Sequence, residues 1–292
     1  KLMKGNEAIA AAAINAGLTH FFGYPITPQS ELIEYVAREL PKAGGCFLQA
    51  ESEVAASYMV YGAAGTGARV MTSTSSPGLA LKQEGLTYMV SAELPAVVIN
   101  ISRGGPGLGN ILPQQSDYFM CTRGGGNGDY YHPCFAPASV QECADLITEA
   151  FDIADEYRMP VLILGDGLIG QMMEPVEIQP YKKYIANKPW AADGEHVKRG
   201  VHNRINAMDL AADVLEAKNN KIQAKLAEIS KKYVKYEAID IEDADIVLVA
   251  YGTPSRACKN VLKKAKAEGL KIGLIRPISL YPFPKEAFDK IN

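Results

Sequence analysis

Short apolar runs alternate with helical patterns through the first 180 residues, and this alternation constrains the fold more than any other feature of the chain. Runs at His20–Tyr24, Cys46–Ala50, Arg69–Ser73, Ala96–Ile101 and Pro160–Leu164 read as strands. The spacing predicts helices over Asn6–Ala16, Pro28–Leu40, Glu51–Ala64, Pro77–Val90 and Ser139–Tyr157. Thr27 stands as N-cap of the second helix with Pro28 in its first position, and Gly65 closes the third. Ser139-Val140-Gln141-Glu142 has the pattern of a capping box. Strands that are apolar at nearly every position must be buried on both faces. The predicted fold class is therefore α/β, a doubly wound parallel sheet covered by helices on both sides.

At about 150 residues per domain, 292 residues allow two domains or one large one. Charge locates the division. Residues 1–180 hold 9 Lys+Arg against 19 Asp+Glu, whereas residues 181–292 hold 21 against 14. Residues 181–232 read as a linker followed by a charged helix from about Asn206 to Lys232, a solvated face by composition. Residues 233–292 return to α/β pattern, with a strand at Ile246–Ala250, a helix at Ser255–Glu268 and a strand at Lys271–Ile275. Two parallel strands and one helix cannot close a core, so this last unit is expected to be cut short or to pack on a neighbour.

Several classes are excluded. No stretch approaches the roughly 18 apolar residues of a membrane span, and Ala8–Ile14 leads into strand-like sequence instead of a signal cleavage site. The five cysteines form no Cys-x-x-Cys pair, which argues against an iron–sulfur cluster held by this chain alone. The histidines at 20, 132, 196 and 202 show no metal-ligand spacing, so no metal site is expected. An odd cysteine count without a secretory signal fits the cytoplasm, and the acidic balance argues against nucleic-acid binding.

Residues 103–133 contain two glycine-rich runs, Gly104–Gly109 and Gly124–Gly128, without a periodic element. Neither run has glycines at the first, third and sixth positions of a dinucleotide fingerprint, and no phosphate-binding Lys-Ser/Thr follows Gly62–Gly67. A flexible loop is the reading that remains. More informative are four clusters that each follow a predicted strand: Gly23-Tyr24-Pro25-Ile26-Thr27-Pro28, Glu51 with Glu53, Thr72–Gly78, and Ser102-Arg103. Ligands of open α/β sheets bind at the carboxyl ends of strands, where all four clusters lie. Taken singly, each has a bland explanation as a cap, a dipole partner, a turn or a surface charge. Their coincidence at one sheet edge points to a site.

With these residues in place, the sequence resembles the α, or pyrimidine-binding, subunits of the 2-oxoacid:ferredoxin oxidoreductases. The matching segments are Gly5-Asn6-Glu7-Ala8, Tyr24-Pro25-Ile26-Thr27-Pro28, Glu53-Val54-Ala55-Ala56, Thr72–Gly78, Glu93-Leu94-Pro95, Arg103-Gly104-Gly105-Pro106 and Ser139–Glu142. They run over essentially the whole chain. Arg276-Pro277 and Pro282-Phe283-Pro284 resemble the opening of a transketolase C-terminal-like domain. Gly104–Gln115 and the Gly124–Gly128 loop are most similar to branched-chain (2-ketoisovalerate) members, with 2-oxoglutarate members next.

The resemblance implies three parts: a thiamine diphosphate pyrimidine-binding domain at 1–180, a linker and helix at 181–232, and the start of a second domain at 233–292. It implies thiamine diphosphate shared with a β subunit that carries the Mg2+ and diphosphate site. Gly165-Asp166-Gly167 resembles the start of that diphosphate motif but lacks the Asn-Asn that should follow, so Asp166 reads as a turn residue. Glu53 falls at the glutamate that hydrogen-bonds N1′ of the aminopyrimidine, where burial favours sharing a proton with the ring. Thr27 and Arg103 fall at positions that hold the substrate carboxylate, which suits a guanidinium fork and a hydroxyl. Tyr24, Pro25, Ile26, Thr74 and Ser75 fall around the pyrimidine pocket. Electrons would leave through iron–sulfur clusters on an iron–sulfur subunit to ferredoxin, with a γ subunit completing the complex and coenzyme A taking the acyl group. The alternatives are a non-catalytic scaffold subunit of such a complex and a lipoamide-type 2-oxoacid dehydrogenase component.

Overall fold

The computed structural model describes residues 1–185 and 187–291. The first part of the chain runs β1 (Leu2–Lys4), α1 (Gly5–Asn15), β2 (His20–Gly23), α2 (Ser30–Glu39), β3 (Cys46–Gln49), α3 (Glu53–Gly65), β4 (Val70–Thr74), α4 (Ser76–Ser91) and β5 (Ala96–Ser102). It continues with α5 (Tyr118–Thr122), β6 (Cys134–Phe135), α6 (Val140–Tyr157), β7 (Pro160–Asp166), α7 (Gly167–Gln171), β8 (Met173–Pro175) and α8 (His196–Arg199). The remainder comprises α9 (Ala212–Lys232), β9 (Tyr236–Ile239), β10 (Ile246–Val249), α10 (Gly252–Ala267), β11 (Ile272–Pro277) and β12 (Ser279–Tyr281).

Among the described residues, seven strands form the main sheet in the order β12-β6-β7-β5-β4-β2-β3. All neighbours run parallel except β12, which lies antiparallel to β6. The continuous apolar strands serve two cores, as expected for a sheet buried on both faces. On β5, Val97, Ile99 and Ile101 join one core and Ala96 and Val98 the other; on β7, Val161 and Ile163 oppose Leu162 and Leu164. The first core is completed by α1, α2 and α6, and by Ile222, Leu226 and Ile229 of α9. The second holds Val60 and Ala64 of α3 with Leu79, Leu86 and Met89 of α4. The chain turns from β2 outward to β3, then returns to the other side of β2 as β4. That reversal makes the carboxyl ends of β2 and β4 a topological switch point.

Four local expectations change. Thr27 does not cap a helix: α2 starts at Ser30 behind Gln29. Tertiary donors hold the preceding segment outside the helix, since Arg103 donates to the Thr27 carbonyl (3.0 Å) and Asn6 to that of Pro28 (2.9 Å). The third helix starts at Glu53 because Ser52 is its N-cap, its hydroxyl accepting from the Ala55 N–H at 3.1 Å; Glu51 lies outside the helix and exposed. Ser139 caps α6 by accepting from the Glu142 N–H, but the Glu142 carboxylate reaches back to the Ala138 N–H and out to Arg276. Residues 103–133 are pinned at many points: Gly104 and Leu112 pair, Asn110 donates to Gly104, and Gly125 donates to Gln83 at 2.6 Å.

The last third differs most. β9 joins β11 antiparallel, giving a three-stranded sheet ordered β10-β11-β9, and β12 crosses back into the main sheet. Tyr281 of β12 stacks on Tyr131 with ring centroids 4.7 Å apart. The buried Arg276 hydrogen-bonds Glu142 of α6 and sits 2.9 Å from Glu237 of β9. This unit therefore packs on its own chain. The charged helix α9 begins at Ala212 instead of Asn206, and three of its apolar residues are in the main core. Its Lys221 and Lys225 both bind Glu93 in the turn between α4 and β5. Among the described residues, no helix is long and apolar enough to cross a membrane.

Candidate active site

The four clusters that follow strands gather along one edge of the sheet, in the spatial order of β5, β4, β2 and β3. At its centre is the entry to α4. Gly78 stands in the first turn of that helix, and a Cβ placed on it would lie 2.1 Å from Thr74 Oγ1 and 2.6 Å from Glu53 Oε1. No side chain larger than hydrogen fits there, so the glycine lets the Glu53 carboxylate and the Thr74 hydroxyl approach the same backbone. Glu53 is 6% exposed, and among the described residues no side chain donates a hydrogen bond to its carboxylate. Ser75, the N-cap residue of α4, is fully buried, yet among the described residues its hydroxyl has no partner. A buried orphan hydroxyl costs about 1–3 kcal/mol, so this group is in want of a hydrogen bond.

The segment after β2 forms the rim. Tyr24, Pro25 and Thr27 are exposed and Ile26 is half-buried. Three donors fix it from below. Besides the Asn6 and Arg103 bonds, Gln29 donates to the Tyr24 carbonyl at 3.4 Å and accepts from the Ser73 hydroxyl at 2.5 Å. Arg103 is nearly buried and bridges two loops, with Nη1 to the Thr27 carbonyl and Nη2 to the Leu108 carbonyl, each at 3.0 Å. Its Nε has no partner among the described residues. Thr27 and Arg103 are thus brought together, and so are Glu53 and Thr74. Glu51 stands apart on the surface.

Two groups beneath the site have no counterpart in the sequence reading. Asp117, in the long loop, accepts on one oxygen from Ser76 (2.5 Å), Asn100 (2.8 Å) and Ser102 (2.9 Å). Ser76 in turn accepts from the Arg103 N–H at 2.9 Å, so this network sets the backbone from which Arg103 projects. A single Asp in a glycine-rich loop gives no signal of such a role. The second is Lys82 on α4, fully buried, donating to Thr72 Oγ1 (3.1 Å) and to the Glu53 carbonyl (3.3 Å). Burial pushes its pKa down to about 7, against the opposing pull of Glu53. Little in the sequence marks it, because Lys82-Gln83-Glu84 reads as the polar side of a helix. Among the described residues, no group of three or more His, Cys, Asp or Glu side chains could hold a metal ion.

This arrangement can be set beside known proteins. The family described as "Pyruvate flavodoxin/ferredoxin oxidoreductase, thiamine diP-binding" matches residues 11–237. The chain belongs to the 2-oxoacid:ferredoxin oxidoreductases. A second model of these oxidoreductases, "Pyruvate:ferredoxin oxidoreductase core domain II", matches residues 244–292. Ketoisovalerate oxidoreductase subunit VorB of Methanothermobacter marburgensis is 47% identical over the whole of this chain and 82% of its own length. The 2-oxoglutarate synthase subunit KorA of Methanocaldococcus jannaschii is 36% identical, over all of this chain and 86% of its own. Among solved structures, the 2-oxoglutarate:ferredoxin oxidoreductase of Magnetococcus marinus superposes with a TM-score of 0.88 at 27% identity. That match covers 99% of this chain and 55% of the other, whose structure has 2-oxoglutarate, coenzyme A and succinyl-CoA bound. The chain is thus an oxidoreductase subunit of a thiamine diphosphate-binding family, with the α/β fold of that family.

Proposed function

We propose that the chain is the pyrimidine-binding α subunit of an oxidoreductase that converts a 2-oxoacid and coenzyme A to an acyl-CoA and CO2, passing electrons to ferredoxin. The observation that carries this reading is the convergence of Glu53 Oε1 and Thr74 Oγ1 on Gly78 at the switch point, beside the unpartnered Ser75 hydroxyl. A flat, polar-edged ring fits this place: a buried carboxylate for a ring nitrogen, a free hydroxyl for a second edge, and a rim of Tyr24, Pro25 and Ile26 for its face. When bound, thiamine diphosphate supplies a carbon nucleophile for the 2-oxo carbon and an electron sink after CO2 leaves.

Each residue then has a task. Glu53 holds and exchanges a proton at N1′ of the aminopyrimidine, from a site shielded from bulk water. Thr74 and Ser75 orient the ring, and Tyr24, Pro25 and Ile26 keep water from its face. Thr27 and Arg103 receive the substrate carboxylate; each Arg103 Nη uses one hydrogen on a carbonyl and keeps a second for a ligand, and Nε is free. Identity of 47% to a ketoisovalerate subunit against 36% to a 2-oxoglutarate subunit favours a branched-chain substrate.

The rest of the machinery belongs to other chains. A β subunit carries Mg2+ and the diphosphate, an iron–sulfur subunit the clusters, and a γ subunit completes a cytoplasmic complex. Within this chain, residues 1–180 form the pyrimidine domain, 181–232 the linker and helix, and 233–292 the opening of a transketolase C-terminal-like domain. The test is Glu53→Gln in the assembled complex, read by viologen reduction with 2-ketoisovalerate and coenzyme A. A loss of at least about 100-fold is expected with assembly intact, the lower end of the usual contribution of a positioned acid–base group, while Glu51→Gln retains activity. Full turnover by Glu53→Gln would make the chain a scaffold. A wild-type complex that reduces lipoamide but no viologen would make it a dehydrogenase component.

A further inference from the structure

Lys82 is an expensive residue in its place. Its side chain is fully buried, and among the described residues no carboxylate lies within ion-pair distance of its ammonium. The two acceptors of Nζ are neutral, the Thr72 hydroxyl of β4 and the Glu53 carbonyl at the first position of α3. Removing an ammonium from water costs several kcal/mol unless charge and hydrogen bonds compensate. The location adds to the cost, because the start of α3 is the positive end of a helix dipole. A leucine or methionine would fill the same volume of α4 without either penalty. The charged group that acts on Lys82 is Glu53, whose carboxylate stands on the pocket side of the residue whose carbonyl Lys82 holds; β4 offers only hydroxyls there, Thr72 and Thr74.

We propose that Lys82 is the positioning residue of Glu53: it clamps the first turn of α3 through the Glu53 carbonyl and sets a cation behind the carboxylate that works on the cofactor ring. The inference rests on the role given to Glu53 above. Burial lowers the Lys82 pKa to about 7 while the charge of Glu53 draws it upward.

The experiment uses the assembled complex. Lys82→Met is expected to lower kcat at least tenfold, with KM for the 2-oxoacid and coenzyme A within about twofold. The acid limb of the kcat profile moves to higher pH by about one unit, because a carboxylate that loses a nearby cation holds its proton more tightly. Thr72→Val, nearly isosteric, removes one acceptor of the ammonium without removing the lysine. It should shift the limb in the same direction by less, and it serves as the probe if Lys82→Met does not assemble. A lower kcat with an unmoved acid limb in either assembled variant would reduce Lys82 to a structural part and overturn the proposal, as would wild-type turnover. Glu53→Gln run in parallel separates the two ideas. If that variant is inactive while Lys82→Met is normal, only the Lys82 inference fails; if it is fully active, the reading of Glu53 fails first.

Discussion

The two faces of the main sheet are covered by helices of similar composition, and they end in different states. On one face α1 is apolar round most of its circumference, and every side satisfies it: α2, α6 and α7 pack around it and nine of its eleven residues are buried. Helix α9 closes this layer with Ile222, Leu226 and Ile229, and its Lys221 and Lys225 fasten it to Glu93. On the other face α3 is as apolar as α1 and packs on α4, yet Val54, Tyr58, Leu81 and Tyr88 remain exposed, Leu81 at 52%. Tyr58 and Tyr88 meet there with ring centroids 6.0 Å apart. A helix that is hydrophobic all round belongs in an interior. Within this chain one face supplies that interior and the other does not. The open face lies on the helices that carry Glu53 and Gly78, beside the edge where the proposed cofactor site lies.

Substitutions at matched places should separate the two faces. Ala13→Asp puts a carboxylate at a fully buried position of α1, and should cost about 3–5 kcal/mol or prevent folding; thermal unfolding of the isolated chain measures it. Leu81→Asp on α4 should leave the unfolding midpoint within about 2 °C, since surface changes are worth within about 0.5 kcal/mol, while the chain no longer co-purifies with the proposed β subunit. Retained assembly would show that the open face is not the shared one. The smallest effect concerns the fastening of α9. Burial alone would raise the Glu93 pKa, but the hydrogen bonds and charges of Lys221 and Lys225 outweigh it and hold it at about 2. Because the folded value lies below the ordinary one, the contribution is complete above about pH 5 and is lost as pH falls from there toward 2. With Lys221 largely in water it should amount to about 1 kcal/mol. Acid unfolding curves of the wild type and Glu93→Gln should converge toward pH 2 and separate above pH 5.

Most of the layout of the first 180 residues was legible because parallel strands buried on both faces leave an apolar run and end in loops of distinct chemistry. The clusters that hold Glu53, Thr74, Ser75, Thr27 and Arg103 could be located from those loops, and the family resemblance singled out the individual residues. Thr27 as a cap could not be corrected locally: a Thr-Pro pair reads as a helix start, and only the Asn6 and Arg103 donors, distant in sequence, hold it outside α2. The loop at 103–133 looked free because glycine runs carry no periodicity, while its anchors at Gln83, Ser76 and Asn100 lie on other elements. β9 and β12 escaped because three or four residues of mixed polarity give no period, and both owe their existence to pairing with strands already in place.

The sequence by itself determined a two-faced parallel sheet and the set of side chains at its carboxyl edge, because burial on both faces and turn chemistry are written in consecutive residues. The tertiary structure decided which of those side chains meet. It returned β4 to the far side of β2, closed Thr74 and Glu53 onto Gly78, and slid the Lys82 ammonium behind them. Strand order and helix contact join residues far apart in the chain, and no local periodicity encodes that choice.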